Sequence, residues 1–328
     1  MLRYIARRLA LGVLTMWAIS VLSFVIIQLP PGDFVTTYIA RLSESGSTSA
    51  LGEVERLRHS YGLDQPIYVQ YVKWMSQVVQ GNLGVSLDWN RPVADLLGER
   101  LALTMVVAIA AIVFTWALAL PIGIYSALRQ YSIGDYVLTF LGFFGLGVPS
   151  FLLALVLLYV SFEFFGVSVG GLFSPGLETA PWSFAKVVDL LKHLIVPAIV
   201  LGLAGTAQLI RIMRANLLDE LGKPYVMAAR AKGLTERRAV LKYPVRVALN
   251  PFASSIGLLF THVVSSTIIV SVVLSLPTVG PLLLSSLQAQ DMFLAGSIVL
   301  LLGAMTIIGT LISDLVLVWL DPRIRLAG

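Results

Sequence analysis

The 328-residue chain has no cysteine and only three histidines, and charged residues make up just 12% of it. Without thiols there is no disulfide framework, no cysteine nucleophile and no cysteine-ligated zinc. So few charges exclude an ordinary soluble domain, where about a quarter of residues are charged. Catalytic signatures are missing as well. No Gly-x-x-x-x-Gly-Lys-Ser/Thr loop occurs, and Gly222-Lys223-Pro224 is not one, so the chain is not expected to hydrolyse ATP or to bind a cofactor of its own. Paired catalytic carboxylates, a His-Glu-x-x-His helix and a Gly-x-Ser-x-Gly elbow are likewise absent from the sequence.

What the chain does have is apolar length. Hydrophobic residues reach 57% and mean hydropathy is +0.87. They fall in six blocks, at 9–29, 101–127, 136–162, 192–212, 251–275 and 293–320. Each is near or above the roughly 20 residues that cross a bilayer core. The expected fold is therefore an all-α polytopic membrane protein with six transmembrane helices. Its expected parts are an N-terminal membrane helix (1–30), an external segment (31–100) and a five-helix core (101–328). The first block follows Arg3, Arg7 and Arg8 and runs into Gln28-Leu29-Pro30-Pro31 with no small-residue cleavage site, so it reads as a retained anchor.

The net charge of +5 is distributed as orientation chemistry rather than as a nucleic-acid surface. With the N-terminus inside, Arg3, Arg7, Arg8, Arg129, nine residues of the 211–246 loop, Arg323 and Arg325 share one face; that is fifteen of the 23 basic residues. This N-in, C-in arrangement obeys the positive-inside rule. The apolar run 277–287, interrupted by Pro277, Gly280 and Pro281, is too short to span and reads as a re-entrant or interfacial helix near an outer gate. In the external segment, Asp64-Gln65-Pro66 and Gly81 bracket a helix over 67–80, whose Tyr68, Tyr71 and Trp74 suit a position on the membrane surface; an external partner docking there is the other reading.

The polar loop between blocks four and five, about 213–250, carries the most specific pattern. Gly222 closes one helix, and Pro224 suits the first turn of another, running from Tyr225 to Lys232. Gly233 allows the positive φ of a helix end. Thr235 can cap a second short helix through about Lys242, and Pro251 opens block five. The result is a helix–turn–helix knob. The small side chains of Ala228 and Ala229 would admit another protein's backbone, and Arg230, Lys232, Arg237 and Arg238 would meet acidic groups of a partner or lipid phosphates.

Among ionisable residues inside the blocks, only His262 falls near a centre, with Thr261, Ser265, Ser266 and Thr267 around it. A charge there is costly, which makes it a pathway candidate, although membrane histidines more often bond across helices. Asp314 suits a structural role near a helix end. Gly142, Gly145, Gly147, Gly202, Ala204 and Gly205 suit close helix packing.

The knob resembles the coupling loop of ABC-importer permeases, whose pattern is Glu-Ala-Ala followed four residues later by Gly. Here Ala228, Ala229 and Gly233 match, while Met227 stands in the Glu position. Ala-Arg-Ala-Lys-Gly-Leu at 229–234 is similar to the form found in dipeptide, oligopeptide and nickel permeases, and Arg246, Ala248, Leu249 and Pro251 continue the likeness. Further matches are Pro31-Gly32-Asp33, Tyr61 to Pro66, Gly81-Asn-Leu-Gly84 with Ser86, Pro149-Ser-Phe, and Leu320 to Arg325. Departures are Lys242, Tyr243, Pro244 and Val247, and Ser271 and Pro277 to Gly280 where members have an acidic residue and a Pro-Gly-Leu-Gly turn. The run 290–296 is similar to members tied to sugar or glycoside uptake.

The resemblance implies a permease subunit of the bacterial or archaeal inner membrane. Its implied partners are a second similar permease, two ATPase subunits carrying ATP and Mg, and an extracytoplasmic solute-binding protein. It implies an ATPase-coupling interface at Tyr225, Ala228, Ala229, Arg230, Lys232, Gly233 and Leu234, and a pathway or gate drawing on His262, Ser265, Ser266, Ser271, Pro277 and Gly280. Short peptides are the implied cargo, with oligosaccharides, opines and nickel complexes open. An ion-coupled secondary transporter is the alternative of another class, with His262 as its one support.

Overall fold

The computed structural model describes residues 2–29 and 64–320. Residues 31–63 of the external segment, with Pro31-Gly32-Asp33 and Tyr61 to Leu63 among them, and the end from Asp321 to Arg325 lie outside the described residues. In chain order the helices are α1 (Leu2–Gln28), α2 (Ile67–Val79), α3 (Val93–Leu128), α4 (Ile133–Gly147), α5 (Ser150–Phe165), α6 (Phe184–His193) and α7 (Ile195–Leu221). Then come α8 (Pro224–Ala231), α9 (Glu236–Lys242), α10 (Pro244–Ala248), α11 (Asn250–Val273), α12 (Val279–Gln288) and α13 (Met292–Leu320). The described residues include no strand, only an isolated bridge between Val85 and Pro92. The fold is all-α and polytopic: α1, α3, α7, α11 and α13 are each long and apolar enough to cross a membrane, and α4 with α5 makes a sixth, broken candidate.

The third block differs from the continuous span expected for 136–162. It is two helices, α4 and α5, meeting at 104°. The break follows from Pro149, which lacks an N–H and pushes the residue before it out of the helical region. Val148 sits accordingly at φ −96°, ψ 123°. With 15 and 16 residues, each half is about 23 Å long and too short to cross a 30 Å core unaided.

The chain divides into two compact units, Thr104–Pro277 with Ile308–Gly328, and Leu2–Leu103 with Thr278–Ile307. In the first, α7 is the hub, touching α4, α5, α6, α10 and α11. In lipid this packing has no hydrophobic drive and depends on close backbone approach at small residues. A Cβ at Gly202 would lie 2.6 Å from Phe114 and 3.0 Å from the Ala111 carbonyl, and one at Gly145 would lie 3.1 Å from Leu203. Gly205 is closed in the same way by Leu259, whereas a Cβ at Gly142 would make only ordinary contact with Ile210 at 3.4 Å and Ala207 at 3.6 Å. Gly147, expected to pack likewise, has nothing within 4 Å. The Thr115 hydroxyl donates to the carbonyls of Ala111 (2.8 Å) and Gly202 (2.9 Å), tying α3 to α7.

The second unit is organised around Trp74, only 1% exposed. Its ring stacks on Phe24 of α1 (5.8 Å, 24°) and lies so close to Gly296 of α13 that a Cβ there would meet it at 2.8 Å. Tyr71 bonds Ser20 at 2.8 Å, and Gln28 donates to Gln70 at 3.2 Å. The helix expected over 67–80 is present, ended by Gly81 at φ 82°. Its three aromatics do not share one exposed face, however. Tyr71 and Trp74 turn onto α1 and α13, and Tyr68 alone stays exposed.

Candidate functional site

α7 ends at Leu221, extended backbone at Lys223 redirects the chain, and Pro224 starts α8. Gly233 then reverses it at φ 83°, a conformation that side chains with a Cβ rarely adopt. Around that turn the N–H of Gly233 donates to the Arg230 carbonyl (2.9 Å) and that of Leu234 to the Ala229 carbonyl (3.3 Å). Thr235 precedes α9 in extended conformation, but its hydroxyl makes no capping bond. The turn is held instead by Arg230, whose guanidinium grips Glu236 in a bidentate pair at 2.9 and 2.6 Å. With both partners largely exposed, such a pair contributes at most about 1 kcal/mol. Its effect is to fix the angle between α8 and α9.

One side of the knob is a small apolar core. Val226 and Ala229 of α8, Ala239 and Val240 of α9, and Val245 and Ala248 of α10 are all buried, and α10 lies against α7. Ala229 is 6% exposed, so its small side chain admits the knob's own chain and not a partner's. Arg230 likewise is engaged by Glu236 before any partner arrives. The outer side presents Ala228, Lys232, Gly233, Arg237, Arg238, Lys242 and Arg246, with Leu234 half-buried. Met227, Leu241 and Val247 add exposed apolar surface there. Sequence reasoning missed those three, although outward helical spacing in α8 and α9 marks Met227 and Leu241. Tyr225 stands at the base, edge-on to Tyr243 and donating its hydroxyl to the Glu220 carboxylate. Desolvation first, and Glu220 second, push its pKa up to about 12, so it remains a neutral donor.

The expected pathway residues do not form one surface. On α11, His262 and Ser265 are exposed in a stripe with Leu258, Ile269 and Val272, spaced four and three apart along one helical face. Ser266 and Pro277 are half-buried. Ser271 is fully buried, away from that stripe, its hydroxyl without a hydrogen-bond partner, and Gly280 is buried too. A one-helix count therefore separates Ser271 from His262.

Two buried charges elsewhere were not singled out by sequence. Asp291, 0% exposed, precedes α13. It accepts from the Ser86 hydroxyl (2.5 Å) and from the N–H groups of Asp88 (3.2 Å) and Leu294 (3.1 Å). Burial pushes its carboxyl above the ordinary carboxylate value, and those donors pull back against it. Lys186 of α6 is buried between the rings of Phe173 (4.8 Å) and Trp182 (5.0 Å). Its ammonium donates to the carbonyls of Glu178 (2.9 Å) and Ala180 (2.8 Å). Beside it, Asp189 takes the N–H and hydroxyl of Ser174, which hold its carboxyl below the ordinary value. Among the described residues, no group of three His, Cys, Asp or Glu could hold a metal ion.

Comparison with known proteins matches residues 119–326 to the binding-protein-dependent transport system inner membrane component family. Residues 1–110 match the N-terminal region that accompanies it. A Brucella ovis protein named as a peptide permease is 36% identical over 326 residues, covering 99% of each chain. The oligopeptide transport system permease protein AppB of Bacillus subtilis is 33% identical over 327 residues, 99% of this chain and 100% of its own. The dipeptide transport system permease protein DppB of Escherichia coli is 31% identical over 341 residues, 99% of each.

Proposed function

The chain belongs to the family of binding-protein-dependent transport system inner membrane components, a multi-pass permease subunit of an ABC importer, and on that premise we propose that it forms half of a translocation pathway for short peptides. Its similarity to peptide, oligopeptide and dipeptide permeases over nearly its whole length supports that cargo. ATP hydrolysis belongs to partner subunits; this chain carries the two-state element that they bias.

We assign the input to the knob of 222–249, facing the cytoplasm. The observation that carries this is its two-sidedness. The outer face is charged and dotted with apolar side chains, whereas the inner face is locked onto α7, which itself touches α4, α5, α6 and α11. A push on the outer face then moves the hub helix instead of bending a loop. A second, similar permease, two ATPases and an external binding protein complete the assembly. The His262 and Ser265 stripe of α11 faces the pathway or the second permease.

The test is Gly233→Val and Ala228→Trp in the assembled transporter. Val forces a β-branched residue into a left-handed turn with nothing near it to clash, and Trp adds bulk on the outer face alone. Peptide uptake and ATPase co-purification should both fall about tenfold or more while the membrane bundle stays folded. Normal uptake with normal ATPase retention in both variants would remove the knob from the mechanism. Uptake by the chain alone, driven by a proton gradient, would remove the importer reading.

A further inference from the structure

Between α4 and α7 lies a cavity of about 320 Å³ whose lining includes Arg211, Arg214, Phe143, Ile210, Gly142 and Ala207. Its mouth is charged and its floor apolar. Arg214 and Ala207 are seven residues apart, as are Asp135 and Gly142, so the depth from charge to floor is about 10 Å. At the mouth, Asp135 neutralises only one of the two guanidiniums, through Arg214 at 3.1 Å. The Asp135 carboxylate also accepts from the Tyr131 N–H (3.0 Å) and the Thr139 hydroxyl (3.4 Å). Arg211 is exposed and lies over the Phe143 ring at 5.7 Å. The Nε of Arg214 is buried with no hydrogen-bond partner among the described residues. Two arginines with one carboxylate leave a net positive mouth with donors to spare.

The surroundings say what fits. On α7 the apolar run gives way to charge at Arg211, which sets the two guanidiniums at headgroup level. Tyr136, Phe140 and Phe144 of α4 are exposed beside the cavity, an aromatic and apolar flank open to lipid. We propose that the cavity between α4 and α7 binds an anionic glycerophospholipid, its phosphate held by Arg211 and Arg214 and its first methylenes lying on Gly142, Ala207 and Ile210. A bidentate guanidinium suits a phosphate oxygen pair, and the exposed Arg211, which Asp135 does not pair, brings the unneutralised charge. The lipid would then bridge α4, at the broken span, to the hub helix α7.

The experiment uses the purified transporter with its partner subunits in detergent, titrated with phosphatidylglycerol, phosphatidylcholine or inorganic phosphate while its melting midpoint is followed. Phosphatidylglycerol should raise the midpoint saturably, and the other two should not. Arg211→Gln should require about fivefold more phosphatidylglycerol for half-saturation, the loss expected for one arginine near an anionic lipid. The control Lys192→Gln, which removes an exposed cation of α6 away from the cavity and the knob, should titrate like wild type. Equal responses to both lipids, a response to phosphate alone, an unaltered R211Q, or an equal loss in K192Q would each overturn the assignment. Independently of any variant, a photoactivatable phosphatidylglycerol added to the wild-type complex should label peptides within 136–143 and 207–214. Labelling elsewhere only, or a partner subunit cross-linked there in its place, would overturn it as well.

Discussion

The knob at 222–249 and the Asp291 junction at the start of α13 are both polar turns between helices, yet they place charge in opposite ways. The knob keeps its cations outside and small apolar side chains inside. The junction buries a carboxylate and surrounds it with a hydroxyl and backbone N–H groups. Exposed charge costs little to hold and remains free to meet a partner. Buried charge survives only when fully bonded, and so it fixes one geometry. The first arrangement suits a part that is gripped, and the second a part that must not shift. Lys186, caged by two rings and two carbonyls, follows the second pattern.

The contrast breaks most visibly at the buried site. Asp291→Ala leaves the Ser86 hydroxyl and several N–H groups without an acceptor, at a cost on the order of 3 kcal/mol. The melting midpoint of the purified transporter should drop accordingly, with ATPase co-purification little changed among molecules that remain folded. Gly296→Ala drives a Cβ into Trp74 and should lower stability by about 1–3 kcal/mol, read in the same melt. The knob variant Gly233→Val should show the reverse profile. Its strain of about 1–2 kcal/mol is local, but uptake should collapse. Smallest is Arg230→Ala, which removes an exposed pair; stability should change by at most about 1 kcal/mol.

pH sharpens the same contrast. The Asp291 carboxyl is raised by burial, so the folded protein holds its proton longer than the unfolded chain. Its contribution is therefore full below the ordinary carboxylate value and is lost as pH rises through the folded value. Asp189 is lowered, so its contribution is present above the ordinary value and is lost as pH falls through the folded one. In melts followed against pH, Asp291→Asn should flatten a decline on the alkaline side of the carboxylate range, and Asp189→Asn a smaller one on the acid side. Matching slopes in the two variants would show that burial does not set their difference.

Much of the knob could be read from residues alone, because its geometry is set locally. Gly233 at a positive φ, Pro224 at a helix start and Pro251 at the next are one-residue constraints. Which face of each short helix turns inward could not be read that way. Ala228 and Ala229 are identical side chains, and only the packing of the folded knob, where α8 lies against α9, buries the second. Pro149 was visible as a residue, but the 104° bend it permits depends on what the two halves pack against. Trp74 looked like an interfacial aromatic, and it became a core residue because Gly296, more than two hundred positions away, leaves room for its ring.

Membrane residence and the run of long apolar helices were determined by the sequence itself, since bilayer thickness and the energy of burying charge act on composition and spacing alone. So was the position of each turn built on glycine or proline, where φ is a property of the residue. The tertiary structure alone decided which charges are buried, which small residues bring helices together and which arginine is already paired. Those outcomes depend on contacts between distant segments, and desolvation takes its value from the neighbours that enclose a group, not from the group's place in the chain.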